Sequence, residues 1–389
     1  MDQWGLYIHI PFCTVKCWYC DFNAYAGLDG LMPAYTEALV REIASLPPAP
    51  TGRPAGPQTL ATLYFGGGTP SRLPLAHLET ILTAVVRHHH LRPGAEVSLE
   101  ANPGDLDRAY LRGLRALGIT RLSIGAQSFD DAMLRAMGRR HSGAMVVAAY
   151  DLARQVGFAF INLDLLYGLP GQDLAHWQRT LDQALALEPD HLSLYALTVE
   201  PGTVYAKRQR QGRLPLPPDD LVAEMYEVAE DRLGAAGYVH YEIANWARSP
   251  AAVCQHNLTY WRNQPFLGVG AGAHSFDGAR RWANVRPPRL YVARLAQGRS
   301  PVAEVTPLSP GLQLAETAML GLRLVEGLDR AAFRARFGVE VTAVFGQVLA
   351  DLAPFGLLEV TPDRVRLTRR GRLLSNEVFV RLLEAVAGS

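Results

Sequence analysis

Short apolar segments alternate with amphipathic segments along the first half of the chain. The short segments have the length of strands, and the longer ones repeat apolar residues at helical spacing. The predicted strands are 6–10, 59–65, 96–100, 121–125, 161–166 and 191–197. The predicted helical segments between them are 33–46, 75–87, 107–117, 130–157 and 173–187. This alternation predicts a parallel sheet built from right-handed βα units.

Six βα units are too few to close an eight-fold barrel, but they suit an open, partial one of the TIM type. Periodicity alone equally allows a doubly wound sheet. In both arrangements ligands bind where parallel strands end, so polar residues at the strand ends are expected to face one cavity. The Pro- and Gly-rich link 47–57 is predicted to be a surface loop.

The pattern changes after about residue 307. Helices are predicted at 312–324, 330–337 and 343–352, strands at 357–360 and 364–367, then a basic turn at 369–372 and a last helix. Helices with a β-hairpin predict a small α+β, winged-helix-like domain. We therefore predict two domains, 1–300 and 301–389, the second acting as a cap over the barrel mouth or as a docking surface.

Composition describes an ordinary globular protein: of 389 residues, 49% are hydrophobic and 19% charged, and the net charge is +1. This balance predicts no nucleic-acid partner. Three of the four cysteines share one motif, which excludes a disulfide framework, and no leader-like segment precedes Trp4. We expect a cytoplasmic protein, whose membrane association would come only through a partner or a surface patch.

The chemistry begins with three thiols within eight residues: Cys13, Cys17 and Cys20. A four-iron cluster held by three thiolates keeps one iron open for another ligand. Structural zinc would need a fourth ligand from His9 or Asp21, in the wrong order for the usual paired spacings. Three unrelated buried cysteines are the remaining alternative, and their clustering argues against it.

Two further candidates end predicted strands. Three successive glycines, Gly66 to Gly68, let the backbone approach a ligand and expose its amides, although such a turn can also be only a tight connection. Glu100 ends an apolar strand, where its carboxylate can accept two ribose hydroxyls or balance a helix N-terminus.

A second centre follows at Cys254-Gln255-His256-Asn257-Leu258-Thr259-Tyr260-Trp261. A lone histidine is more often a hydrogen-bonded structural residue than a ligand. Imidazole is nevertheless a standard axial ligand of haem iron, and the flanking aromatic side chains suit a porphyrin face. Cys254 is interpreted as a second iron ligand or, preferably, as a small buried hydrophobe.

The motif Cys-x3-Cys-x2-Cys, with Tyr19 before its last cysteine, resembles the signature of radical S-adenosylmethionine (SAM) enzymes. The flanking segments 7–13 and 19–22 resemble the group that contains oxygen-independent coproporphyrinogen III oxidases and haem chaperones. The resemblance implies a partial barrel, a [4Fe-4S] cluster on the three cysteines, SAM on the open iron and an electron donor for the cluster.

The resemblance also implies which residues contact SAM: Tyr7, Gly67, Gly68, Thr69, Glu100, Gln127, Arg139 and Asp164. Tyr7 is equally interpretable as a strand aromatic. Arg139 is chosen over Arg140 by its spacing to His141.

The group that the chain resembles contains proteins of two functions, haem chaperones and oxidases. The run His-Asn-x-x-Tyr-Trp is similar to a motif of the haem chaperones, which assigns haem to His256. The oxidases carry another cysteine where this chain has Phe22, and a longer N-terminal arm. We therefore expect a haem chaperone that hands haem to an acceptor apo-haemoprotein, with oxygen-independent coproporphyrinogen III oxidase as the alternative. No catalytic residue is assigned, and a homodimer is left open.

Overall fold

The computed structural model describes residues 4–46 and 59–386, so the predicted loop 47–57 lies outside the described residues. The strands are β1 Trp4–Ile10, β2 Phe12–Cys13, β3 Tyr25–Ala26, β4 Thr59–Gly67, β5 His90–Ala101, β6 Arg121–Gln127, β7 Phe160–Tyr167, β8 His191–Ala196, β9 Val239–Glu242, β10 Asn245–Ala247, β11 Phe266–Val269, β12 His274–Phe276, β13 Arg280–Asn284, β14 Val302–Pro307, β15 Leu328–Asp329, β16 Leu358–Val360 and β17 Arg364–Leu367. The helices are α1 Met32–Ser45, α2 Leu75–His88, α3 Arg108–Ala116, α4 Asp131–Ala136, α5 Gly143–Val156, α6 Leu174–Ala186, α7 Val204–Arg210, α8 Asp219–Ala235, α9 Gln255–Trp261, α10 Pro288–Ala296, α11 Pro310–Gly321, α12 Arg330–Phe337, α13 Val341–Leu352, α14 Arg369–Leu373 and α15 Ser375–Glu384.

One sheet of 12 strands dominates the described chain, in the order β14-β13-β12-β11-β1-β4-β5-β6-β7-β8-β10-β9. Its central strands from β11 to β8 are parallel, and antiparallel strands extend both edges. Because the two outermost strands do not pair with each other, the barrel is open. This confirms the predicted α/β partial barrel.

β11 adds a parallel strand that the sequence pattern did not predict. It lies beside β1, and its glycine is required because a Cβ at Gly268 would lie 2.1 Å from the backbone oxygen of His274. A short strand with an interior glycine carries little hydrophobic periodicity, which is why the pattern does not predict it.

The two faces of the parallel strands differ in polarity. Residues such as Leu122, Ile124 and Leu163 are fully buried in the main apolar core between the sheet and its helices. The alternating positions, such as Ser123 and Asn162, point to the barrel interior and are polar. A TIM barrel usually fills this interior with layers of branched apolar side chains. Here polar side chains such as Ser123 and Asn162 line the interior instead.

A second apolar core lies in the last part of the chain. It contains Phe333, Phe345 and Val378, and it covers one face of the three-stranded antiparallel sheet β15-β17-β16. This confirms the smaller α+β, winged-helix-like unit, while residue 300 stays our proposed boundary.

This C-terminal unit packs on the side of the barrel. Backbone bonds join Ile243 to Arg323, and Arg369 and Arg372 of the predicted basic turn pair with Asp231 and Glu230 of α8. No described residue beyond 300 lines the central cavity. The predicted cap over the barrel mouth is therefore wrong, because this surface is used for packing on α8 and the sheet edge.

Candidate functional site

A cavity of about 420 Å³ occupies the barrel interior. Its upper part, towards the carboxyl ends of the parallel strands, is lined by the three cysteines and by seven of the eight predicted SAM contacts: Gly67, Gly68, Thr69, Glu100, Gln127, Arg139 and Asp164. Its lower end reaches Arg121, Cys254 and Asn257. One cavity thus connects the cysteine motif with the segment that carries His256.

The cysteine loop begins where β1 ends. Cys13 lies in β2, which pairs with β3, and the backbone N–H of Cys20 donates to the carbonyl of Cys17 at 3.2 Å. All three thiols are free, Cys13 buried and the other two half-buried. Burial raises the pKa of Cys13 above its usual value and that of Cys20 to about 11. A positively charged centre, such as a metal cluster, would favour the thiolate forms of Cys13 and Cys20.

Within the described residues, no three His, Cys, Asp or Glu side chains lie at the spacing that holds a single metal ion. A four-iron cluster spreads its irons, and its thiolates are correspondingly farther apart. Three free thiols on one cavity wall therefore fit the cluster, with one iron open.

The glycine turn after β4 is held close to the cysteine loop. The Gly68 N–H donates to Ile10 O at 2.8 Å, and a Cβ at Gly68 would lie 3.0 Å from Cys13 Sγ. Gly67 has φ +118°, and a Cβ there would lie 2.6 Å from the His9 ring. The next residue, Thr69, has its hydroxyl 3.3 Å from Cys13 Sγ. Only glycines let the turn come this close to His9 and Cys13. The backbone of the turn therefore lies beside the thiols.

Glu100 is fixed beside this turn. Its Oε1 accepts from the Tyr64 hydroxyl at 2.9 Å, and its Oε2 accepts from the Gly67 N–H at 3.0 Å. Burial, with the charge of Asp164 as a second cause, raises the pKa of Glu100 to about 7. The carboxylate is thus oriented into the cavity and keeps lone pairs for hydroxyl groups.

Asp164 lies in the middle of β7 rather than at its end. Its Oδ2 accepts from Ser123 Oγ at 2.9 Å and its Oδ1 from Asn162 Nδ2 at 2.8 Å. Burial raises the pKa of Asp164, and these hydrogen bonds partly offset the rise. Asp164 is therefore rigidly held on the cavity wall.

Gln127 and Arg139 show the signs of a functional site. Gln127 ends β6 after a register shift and has φ +65°, a conformation that non-glycine residues rarely adopt. Arg139 donates from Nη2 to Gly125 O at 2.7 Å and lies 3.5 Å from Cys17 Sγ, while its buried Nε has no partner in the described chain. Arg140 instead pairs with Asp105, which supports the choice of Arg139.

Tyr7, the eighth predicted SAM contact, is not among the residues that line the cavity. Its hydroxyl is 3.0 Å from His9 Nδ1, and its ring stacks on Tyr64. A Cβ at Gly66 would lie 2.8 Å from this ring. The placement matches the strand-aromatic interpretation, and SAM contact stays a prediction.

His256 lies at the lower end of the barrel, in α9. It is 1% exposed; its Nδ1 is 2.8 Å from the Thr62 hydroxyl and its Nε2 is 2.8 Å from the Tyr260 hydroxyl. Its ring also stacks on Tyr64 at 5.0 Å. Burial lowers the pKa of His256 to about 3, so the ring is neutral. In this conformation both ring nitrogens are hydrogen-bonded to side chains of the protein. Haem coordination by His256 stays a prediction.

Cys254 is buried too. Its Sγ is 3.4 Å from Glu96 Oε1, and burial, with the charge of Glu96 as a second cause, raises the thiol pKa above its usual value. A neutral thiol bonded to a carboxylate is a poor iron ligand. The preferred interpretation as a small buried side chain agrees with this placement.

Our sequence reasoning missed the polar ladder on the inner face of the strands: Glu96, Ser98, Arg121, Ser123, Asn162, His191 and Ser193. Parallel strands covered on both faces usually read as continuous apolar runs. In β6 and β8, polar and apolar residues instead alternate with period two. That alternation was the available signal for a polar barrel interior.

Comparisons with known proteins agree with this geometry. The family model "Radical SAM superfamily" matches residues 7–184, and the "HemN C-terminal domain" matches residues 308–374. The chain is 40% identical to "Heme chaperone HemW" of Bacillus subtilis, covering 96% of this chain and 97% of that protein. It is 42% identical to "Heme chaperone HemW" of Mycobacterium tuberculosis, covering 98% and 95%.

Among solved structures, coproporphyrinogen III oxidase (HemN) from Escherichia coli, described as a radical SAM enzyme, matches with a TM-score of 0.85 and 26% identity. The match covers 98% of this chain and 90% of that one. In the described residues no helix has both the length and the apolarity to cross a bilayer. The near-full-length identity decides the classification: the chain belongs to the HemW family of the radical SAM superfamily.

Proposed function

We propose that the protein is a haem chaperone that binds haem and transfers it to an acceptor apo-haemoprotein. The observation that carries the proposal is the near-full-length identity to proteins named "Heme chaperone HemW", 40% and 42% in two bacteria. The segment from Cys254 to Trp261 supports it, because it sets a neutral histidine among aromatic side chains. Neutral imidazole is the form that coordinates iron.

The proposed cofactor site is the upper end of the cavity. Cys13, Cys17 and Cys20 would hold a [4Fe-4S] cluster, which with SAM supplies one-electron chemistry when both are bound. Gly67 and Gly68, whose missing side chains let the turn approach His9 and Cys13, would present backbone to the methionine end of SAM beside the thiols. The Arg139 guanidinium, whose Nε has no partner among the described residues, would balance the charge of the thiolates or of a carboxylate.

Glu100 would orient the ribose of SAM. Its two oxygens are already fixed by Tyr64 and Gly67, so a ligand hydroxyl meets a carboxylate that cannot turn away. Asp164 and Gln127 would complete the wall around the nucleoside. Each of these assignments predicts weaker SAM binding when the side chain is shortened.

His256 is our proposed haem ligand, and its bonds set a condition for that role. Coordination through Nε2 requires the ring to leave Tyr260, and turning the ring requires it to leave Thr62 as well. Each hydrogen bond contributes about 1 kcal/mol. Haem binding at His256 would therefore be coupled to a rearrangement of α9.

The second candidate function is oxygen-independent oxidation of coproporphyrinogen III. It is favoured by the TM-score of 0.85 to HemN of Escherichia coli, at 26% identity. Against it stands Phe22, at the position where the oxidases carry another cysteine; this side chain is 66% exposed at the cavity mouth.

One sample can separate the two functions. The chain is reconstituted anaerobically with iron and sulfide, then tested for haem transfer to an apo-haemoprotein and for decarboxylation of coproporphyrinogen III with SAM and a reductant. The proposal predicts transfer without decarboxylation. Decarboxylation without transfer would contradict it and establish the oxidase.

A further inference from the structure

The lower end of the cavity contains a charged donor that the protein leaves unused. The side chain of Arg121 is 3% exposed, yet its Nη1 has no hydrogen-bond partner among the described residues. Its other donors are used: Nε donates to Glu96 Oε2 at 2.9 Å and Nη2 to Ala252 O at 2.7 Å. A buried donor without a partner costs about 1–3 kcal/mol unless a ligand or water accepts its proton.

Glu96 pairs with Arg121, but its charge is shared among several donors. Besides Arg121 Nε, its oxygens accept from the N–H of His256 at 3.0 Å, the N–H of Gln255 at 3.2 Å and Cys254 Sγ at 3.4 Å. Arg121 therefore shares its counter-charge with three other donors, and it lines the cavity. The charge of Arg121 acts on its neighbour His191. The pKa of His191 is lowered first by burial and then by this charge.

This end lies below the proposed SAM site. Arg121 begins β6 beside Ser98, and the nearest proposed SAM contact, Glu100, pairs with Ser123. The two-residue offset corresponds to about 7 Å of strand. Asn257, whose role in the His-Asn-x-x-Tyr-Trp motif is not explained by haem coordination, lines the same lower end.

We propose that the base of the cavity binds the carboxylate of a small organic acid through Arg121 Nη1 and the side-chain amide of Asn257. A guanidinium and an amide are the donors that recognise a carboxylate, and a charge-assisted bond is about twice as strong as a neutral one. Low solvent access strengthens the attraction further.

The test uses ¹³C-labelled acetate as the probe, titrated by NMR into the full-length, cluster-loaded protein, with acetamide as the neutral control. Four variants are compared: Arg121→Lys, which keeps the charge and removes the guanidinium fork; the double variant Glu96→Gln with Arg121→Gln, which leaves no unpaired buried charge; Asn257→Ala; and Lys16→Gln, at the other end of the cavity. Cluster absorbance checks that each variant is folded.

We expect acetate to bind the wild type at least tenfold more tightly than acetamide. The affinity for acetate should fall at least tenfold in Arg121→Lys and in the double variant, and about threefold in Asn257→Ala, with less than a twofold change in Lys16→Gln. Should the double variant not fold, Arg121→Lys decides. No acetate binding to the wild type, undiminished binding to Arg121→Lys, or a loss confined to Lys16→Gln would overturn the proposal.

Discussion

At the upper end of the cavity the thiols of Cys17 and Cys20 are half-buried and free, and Arg139 Nε has no partner in the described chain. At the base, the His256 ring is buried and both of its nitrogens are hydrogen-bonded. At the upper end, thiols and a guanidinium nitrogen are therefore free to bind ligands. At the base, both nitrogens of His256 are already hydrogen-bonded to the protein.

The difference distinguishes a site for a resident cofactor from a site for a ligand that is transferred. Groups without hydrogen-bond partners suit a resident cofactor, since its binding requires little rearrangement. A histidine that must first leave two partners binds more weakly by the free energy of those contacts, which suits a ligand that is handed on. Tyr64 joins the two ends, because it stacks on His256 and donates to Glu100.

The largest expected effect is at the upper end. Cys17→Ser should abolish cluster assembly, because only three thiolates are available for four irons. Iron and sulfide content after anaerobic reconstitution measures it. Cys254→Ser is the matched control, since this thiol is bonded to Glu96 at the base, and it should keep wild-type iron. Equal iron loss in both variants would contradict the assignment.

At the base, His256→Ala should lower the free energy of unfolding by about 2–4 kcal/mol, because it leaves the Thr62 and Tyr260 hydroxyls unpaired and opens a void. Chemical denaturation of the cluster-free protein measures this change. His274→Ala, at an exposed site, should change stability by less than about 0.5 kcal/mol. Similar small changes in both would show that the bonds of His256 do not stabilise the fold.

The pH dependence of SAM binding sharpens the contrast between the ends. Because burial raises the pKa of Glu100 to about 7, the carboxylate is ionised above pH 7 and protonated below it. Protonation removes an acceptor for ribose hydroxyls, so the affinity for SAM should fall towards tenfold per pH unit below pH 7. Equilibrium dialysis from pH 8.5 to 5.5 measures it. Glu100→Gln should flatten the profile; an unchanged profile would exclude Glu100 as its cause.

The smallest expected effect concerns the release of His256. Thr62→Val removes one partner of the ring, so haem should bind about fivefold more tightly, corresponding to about 1 kcal/mol. Ser98→Ala, at another buried position of the inner face, is the control and should leave haem affinity unchanged. Unchanged or weaker haem binding in Thr62→Val would mean that His256 keeps its bonds in the complex.

Local patterns predicted much of the fold. The strand 59–65 and the helix 75–87 were placed within two residues of β4 and α2, because their periodicity is strong and turn residues bound them. The cysteine motif and the glycine turn were also recognisable, since each is contiguous in sequence. Both lie on the cavity wall as expected.

Long-range packing was harder to predict. The aromatic residues that flank His256 suited a porphyrin face, but His256 of α9 bonds to Thr62 at the barrel base, 194 residues away in sequence. The ion pair of Arg121 with Glu96 likewise joins two strands whose polar residues were not interpreted. Contacts of this kind depend on register and topology, which a single sequence does not determine.

The most direct test of the account is a haem titration of the cluster-loaded wild type beside His256→Ala, followed by absorbance. If His256 is the iron ligand, the wild type should bind haem with the spectrum of an imidazole-ligated iron, and His256→Ala should bind at least tenfold more weakly and lose that spectrum. Equal affinity and identical spectra in the two proteins would contradict it, and His256 would then be a structural residue of α9.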